Sequence, residues 1–154
     1  MKTQDLKIHH LGVAAADLAA AQAFYQDVLG FKLESGPFDD PIQKVRVSFL
    51  RRTAQDDFVI ELITPLGTSS PVNGYLSKGL GAYHICYEVA DLEQAQAEML
   101  ARKCLPIAAP APATAFGGRR IAWWFTPTKH LVELLERGAP GTRSDESGTI
   151  LVGN

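Results

Sequence analysis

AYHICYEVADL, residues 82–92, follows the pattern of a phrase met near the start of the chain, IHHLGVAAADL, residues 8–18. Aligning His10 with His84 sets an offset of 74 positions (84 − 10), and the same offset carries Asp17 to Asp91, Leu18 to Leu92 and Ala21 to Ala95. An internal repeat of this kind outranks other signals, because overlooking it misassigns the whole fold. Each copy opens with a short alternating segment suited to a half-buried strand, then an Asp followed by an Ala-rich run with helical apolar spacing. Asp17 and Asp91 are placed as N-caps, with Gln94 positioned for a capping box, and Gly30 ends the first helix.

A second echo closes each copy, DFVIELITP at 57–65 and HLVELLE at 130–136, each with one Glu. Glu61 and Glu133 lie 72 positions apart (133 − 61), close to the first offset. The expected fold is therefore α+β: paired βαβββ modules, about residues 7–65 and 81–136 with a linker at 66–80, forming a cupped, mostly antiparallel sheet with helices outside. Turn signals at ESGPFDDP, PLGTSSP and APAPATAFGG separate or interrupt the segments. The domain is taken as residues 1–136, and the polar, Gly/Pro-rich stretch from 137 to 154 reads as a flexible tail.

At 154 residues the chain suits one domain, and 46% apolar with 21% charged residues is ordinary for a globular protein. No apolar run approaches the roughly 20 residues of a membrane helix, so no membrane partner is expected. A net charge of −2 argues against nucleic acid and for a small-molecule partner. MKTQDLKIHH has no apolar core of a secretory signal, which makes a cytoplasmic location the expectation. Cys86 and Cys104 lack metal-ligand spacing and read as free, apolar fillers.

Four residues look misplaced. Glu61 stands in VIELI and Glu133 in LVELL, so each carboxylate has apolar neighbours on both faces of its strand. A buried charge is far too costly unless it is paired, protonated or bound to a cation. His10 and His84 occupy equivalent opening strands, His84 sharing parity with Cys86 while Ile85 and Tyr87 face the other way. If a pseudo-twofold axis relates the modules, these four side chains converge as two imidazole nitrogens and two carboxylate oxygens. That donor set suits one divalent ion, Zn, Co, Ni, Mn or Fe, with about two positions left open if the ion is six-coordinate. His9 and His130 read as core or exposed histidines outside the set.

The repeat and its ligand pattern resemble the vicinal oxygen chelate superfamily, which includes glyoxalase I, methylmalonyl-CoA epimerase, extradiol dioxygenases and bleomycin- and fosfomycin-resistance proteins. HHLGVAAADLAAAQAFYQDVLGFKL looks like its opening module and GRRIAWWFTPTKHLVELLE like its closing strands. IELITPLGTSSPVNGYLSKGLGAYHICYEVADLEQA is most similar to the methylmalonyl-CoA epimerase branch. The resemblance implies His10, Glu61, His84 and Glu133 as metal ligands, Glu133 as a catalytic base with Glu61 its symmetric counterpart, and a homodimer. It also implies an isomerase or epimerase acting beside a carbonyl through a metal-stabilised enolate, on a carbonyl or acyl-thioester substrate such as methylmalonyl-CoA. A glyoxalase I-like lyase on a thiol adduct and a small-molecule binding or resistance protein are the alternatives. A dioxygenase fits less well, since it typically uses two His and one carboxylate.

Four further residues are substrate-binding candidates. Gln43 can donate a hydrogen bond into the pocket. Arg119 and Arg120, in FGGRR, suit a carboxylate, thioester or phosphate tail. Trp123 and Trp124 alternate, so that one faces pocket or interface and the other the core, without alternation deciding which; Trp123 is the candidate.

Overall fold

The computed structural model describes residues 6–55, 58–138, 143–144 and 150–151. The first module runs β1 (Lys7–Ala14), α1 (Leu18–Asp27), β2 (Lys32–Asp40), β3 (Val45–Arg51) and β4 (Ile60–Pro65). A short helix α2 (Val72–Ser77) follows. The second module runs β5 (Ala82–Val89), α3 (Leu92–Ala101), β6 (Leu105–Pro106), β7 (Ala111–Pro112), β8 (Arg120–Phe125) and β9 (Leu131–Glu136). A small pair, β10 (Arg143–Ser144) and β11 (Ile150–Leu151), lies beyond; the rest of the tail from residue 139 falls outside the described residues.

Both helices start where the repeat places their caps. The Asp17 carboxylate accepts from the Ala20 N–H and that of Asp91 from the Gln94 N–H, each at 2.9 Å. Each satisfies one of the N–H groups that a first helical turn leaves without a partner.

One sheet of nine strands carries both modules in the order β2-β3-β4-β1-β5-β9-β8-β6, with β7 also on β8. The modules meet in the antiparallel β1–β5 pair. Within each, the opening strand runs parallel to the closing one, β1 with β4 and β5 with β9. The helices cover one face: Leu18, Ala21 and Tyr25 of α1 pack on Leu50, Ile60 and Leu62, while Leu92 and Ala95 of α3 pack with Trp124 and Leu134. Residues of the opposite parity, among them Phe49, Ile63, Cys86 and Leu135, form a second core on the other face, closed by Val72 of α2. The closing strands are thus buried on both sides, which is why Glu61 and Glu133 have apolar neighbours at both parities.

One turn signal reads differently in the structure. ESGPFDDP does not break the chain before its last residue; residues 34–40 lie within β2, whose pairing with β3 shifts register between Leu33 and Ser35 and again between Ser35 and Phe38. An edge strand tolerates this, because Pro37 removes no N–H that a neighbour needs. The equivalent edge of the second module is broken into the two-residue strands β6 and β7, followed by a 3-10 turn at Thr114–Phe116 that ends on Gly117 with φ +62°. Among the described residues no helix is long and apolar enough to cross a membrane.

Candidate metal centre and its cavity

The register of four strands assembles the site. In the β1–β5 ladder His10 lies opposite Cys86, and Gly12 opposite His84. In the parallel ladders Gly12 lies opposite Glu61 and Cys86 opposite Glu133. All six positions share one face, as two equivalent triples: His10, Gly12 and Glu61, then His84, Cys86 and Glu133. Gly12 has a specific task, since a Cβ there would lie 2.0 Å from Cε1 of His84. The His84 ring lies across the strand where any side chain would stand.

The four candidate ligands meet. His10 Nε2 is 3.0 Å from Glu61 Oε2 and 3.2 Å from Glu133 Oε2; His84 Nε2 is 3.4 and 3.2 Å from the same oxygens, and the two Nε2 atoms are 3.0 Å apart. Their exposures are 0% for His10, 6% for Glu61, 3% for His84 and 2% for Glu133. Burial works to raise both carboxyl pKa values, but the two imidazoles hold Glu61 and Glu133 below the usual carboxylate range. Burial likewise opposes charge on the rings, yet the carboxylates raise both His10 and His84, with Cys86 adding to the shift at His10.

The donor set fits a divalent ion. Metal–N and metal–O bonds of about 2.0–2.2 Å place neighbouring donors of a tetrahedral or octahedral shell about 3.0–3.5 Å apart, and the observed contacts span 3.0–3.4 Å. Glu133 Oε2, though 3.2 Å from each ring nitrogen, makes no hydrogen bond of acceptable geometry. Such crowding of donor atoms, with one buried carboxylate oxygen left without a hydrogen bond, is what ligand atoms around a cation show. With His10 Nε2 turned to the cluster, its Nδ1 lies 2.9 Å from Nδ1 of His9. His9, whose pKa is lowered to about 4 by burial, His10 and Arg119, is the partner that orients this ring. Nδ1 of His84 has no partner among the described residues.

A cavity of about 470 Å³ adjoins the centre, lined by both carboxylates together with Gln43, Tyr83, Phe116 and Trp123. Trp123 is the indole on this side, its ring edge-on to His84 at 4.8 Å; Trp124 is buried in the core against α3. Trp123 Nε1 donates to Gln43 Oε1 at 3.1 Å. An indole nitrogen only donates, so the amide orientation follows, and the Gln43 NH2 has no partner among the described residues. Asp40 fixes this corner: its carboxylate accepts from the N–H groups of Ile42 and Gln43 at 2.9 Å and of Thr114 at 3.0 Å.

Arg119 and Arg120 are not brought into the cavity lining. Arg119 pairs with Glu88 at 3.3 Å and lies over Phe116; Arg120 is held by Glu136 at 2.7 Å and Glu93 at 2.8 Å. Local composition could not foretell this, because the neutralising carboxylates come from other strands and from α3. Gly12 and Tyr83 were absent from the candidates; Gly12 is legible as the repeat position of Cys86, two residues beyond a ligand in the same strand.

Among curated proteins, an ethylmalonyl-CoA/methylmalonyl-CoA epimerase from Cereibacter sphaeroides is 40% identical over 88 residues, covering 56% of this chain and 63% of its own. The chain spans 54 to 63% of the length of this and three mammalian methylmalonyl-CoA epimerases. Among solved structures, methylmalonyl-CoA epimerase from Mycobacterium tuberculosis superposes with a TM-score of 0.74 at 28% identity, over 86% of this chain and 89% of that one. A Streptomyces coelicolor methylmalonyl-CoA epimerase variant in complex with 2-nitronate-propionyl-CoA gives 0.72 at 27%, over 86% and 98%. Residues 9–123, which hold the first module nearly whole, most of the second and three of the four clustered side chains, match the Glyoxalase/Bleomycin resistance protein/Dioxygenase superfamily, and the chain belongs to it.

Proposed function

We propose that the chain is a metal-dependent isomerase or epimerase acting beside a carbonyl, with an acyl-CoA such as methylmalonyl-CoA as substrate. The convergence of His10, Glu61, His84 and Glu133 at the edge of a mostly apolar cavity carries this reading. His10, Glu61, His84 and Glu133 would hold a divalent ion, which would supply Lewis-acid stabilisation of developing negative charge. Glu61 and Glu133 each turn Oε2 to the cluster and keep Oε1 for the substrate proton. Their equivalence supports epimerisation: one carboxylate takes the α proton as the C–H electron pair enters the enolate, and the other returns a proton from the opposite side. Gln43 offers its NH2 to a substrate oxygen, and Trp123 holds that amide in place.

The glyoxalase I-like reading draws support from one observation: the two arginines suited to an anionic tail are neutralised within the chain. A homodimer fits the exposed Ile8, Leu80 and Ile85, and reduced, buried Cys86 and Cys104 fit a cytoplasmic location. The test is deuterium exchange at the carbon α to the carbonyl, with the metal-loaded protein and methylmalonyl-CoA, then the hemithioacetal of methylglyoxal and glutathione. Exchange with the thioester supports the proposal and turnover of the hemithioacetal alone favours the lyase. Metal bound with no exchange on either leaves a binding protein.

A further inference from the structure

Two bulges interrupt the central β1–β5 ladder. One falls at His9, between the pairs Ile8–Tyr87 and His10–Cys86; the other at Tyr83, between Gly12–His84 and Val13–Ala82. They are equivalent in the repeat, 74 positions apart (83 − 9). A bulge residue escapes strict alternation and re-aims its side chain, so His9 and Tyr83 each stand beside the neighbouring ligand rather than on the opposite face. The two then part ways. His9 is committed to His10 through the 2.9 Å Nδ1 contact. Tyr83 lies edge-on to His84 at 4.6 Å and against Tyr75 at 4.7 Å, and lines the cavity beside Glu61 and Glu133. Its hydroxyl makes no hydrogen bond among the described residues.

We propose that Tyr83 is a catalytic residue whose phenolic O–H donates to the substrate oxygen that gains negative charge as the α proton leaves. This rests on the isomerase reading above. A phenol is a neutral donor at physiological pH, and the two carboxylates beside it cannot stabilise an oxyanion themselves. The reaction leaves that oxygen most basic in the enolate, so a donor fixed beside the cluster by ring packing strengthens its bond where charge develops and little before.

The experiment compares the metal-loaded wild type with Tyr83→Phe, which keeps the ring and its contacts. Calorimetry measures binding of 2-nitronate-propionyl-CoA, which carries negative charge at the acyl end, and of CoA alone. Tyr83→Phe is expected to bind the nitronate about tenfold or more weakly and CoA equally well, with unchanged metal content and melting temperature. In exchange assays kcat is expected to fall on the order of 100-fold with KM little altered. Equal nitronate affinity in the two proteins overturns the role of Tyr83 and leaves the acyl-CoA reading standing. A wild type that binds nitronate no better than CoA overturns that reading, and this proposal with it.

Discussion

Gly12→Ala isolates the placement of the His84 ring. The added methyl would lie 2.0, 2.2 and 2.6 Å from Cε1, Nδ1 and Nε2 of that ring, all far inside van der Waals contact. Gly12 has no positive φ, so alanine costs nothing in backbone strain and gains about 0.4–1 kcal/mol from a less flexible unfolded chain. Against this stands overpacking of about 1–3 kcal/mol in a filled core. The clash wins, and a net loss of about 1–2 kcal/mol lowers the melting temperature by about 2–8 °C for a domain of this size. The larger effect falls on the metal. The ring can relieve the contact only by leaving the cluster, which removes one of four donors. Loss of a group that merely orients a ligand costs about 10–100-fold in affinity, so Gly12→Ala is expected to bind zinc at least about 100-fold more weakly in competition with a chelating dye. Gly74→Ala is the control: it sits in α2 with nothing within 4 Å of its new Cβ, and helix propensity stabilises it by up to about 1 kcal/mol. Zinc affinity within about threefold of wild type in Gly12→Ala, with unchanged melting, would refute the stacking of His84 over Gly12.

Glu133→Gln is expected to cut deuterium exchange by about 10²–10⁴-fold, and metal content read on the same sample separates loss of the base from loss of the ligand. His9→Ala leaves all four ligands in place, yet should weaken zinc binding about 10–100-fold, measured by the same dye competition. Chelation should destabilise the fold: a metal present at 100 times its Kd contributes about 2.7 kcal/mol, so scanning calorimetry with and without chelator should differ by about 5–10 °C. An identical melting curve after verified metal removal would argue against a resident ion.

The parts of this protein readable from sequence are those that the repeat writes twice. His10 with His84 and Glu61 with Glu133 announce themselves because two lone polar residues in apolar strands recur at nearly one spacing, and both helix caps recur with them. Features that occur once, or depend on partners distant in sequence, escape. ESGPFDDP has the composition of a turn, and only its place at the sheet edge lets it run as a bulged strand. Arg119 and Arg120 look available in isolation, but Glu88, Glu93 and Glu136 reach them through pairing that local composition does not encode. Alternation along AYHICYEV puts Tyr83 on the face away from His84; the bulge that re-aims it depends on β1.

The antiparallel β1–β5 pair explains why duplication yields a single site rather than two. A parallel pairing would relate the two modules by translation, with no twofold axis between them. In the antiparallel one, His10 opposite Cys86 and Gly12 opposite His84 are the same pairing read from either strand, so the axis passes between them and the two rings meet. Symmetry of backbone therefore brings the four side chains together, and asymmetry of side chains shapes what surrounds them. Where the first module has Gly12, leaving room for His84, the second has Cys86 beneath His10. Where the first has His9, committed to orienting a ligand, the second has Tyr83, open to the cavity. Phe49 and Trp123 stand opposite Glu61 and Glu133 in the same way, and only Trp123 carries a donor with which to fix Gln43. Each departure from the repeat places a side chain with a polar atom in the second module, Cys86 beneath His10 and Tyr83 and Trp123 on the cavity, where Gln43 and Glu61 of the first module meet them, so the cavity draws on both halves.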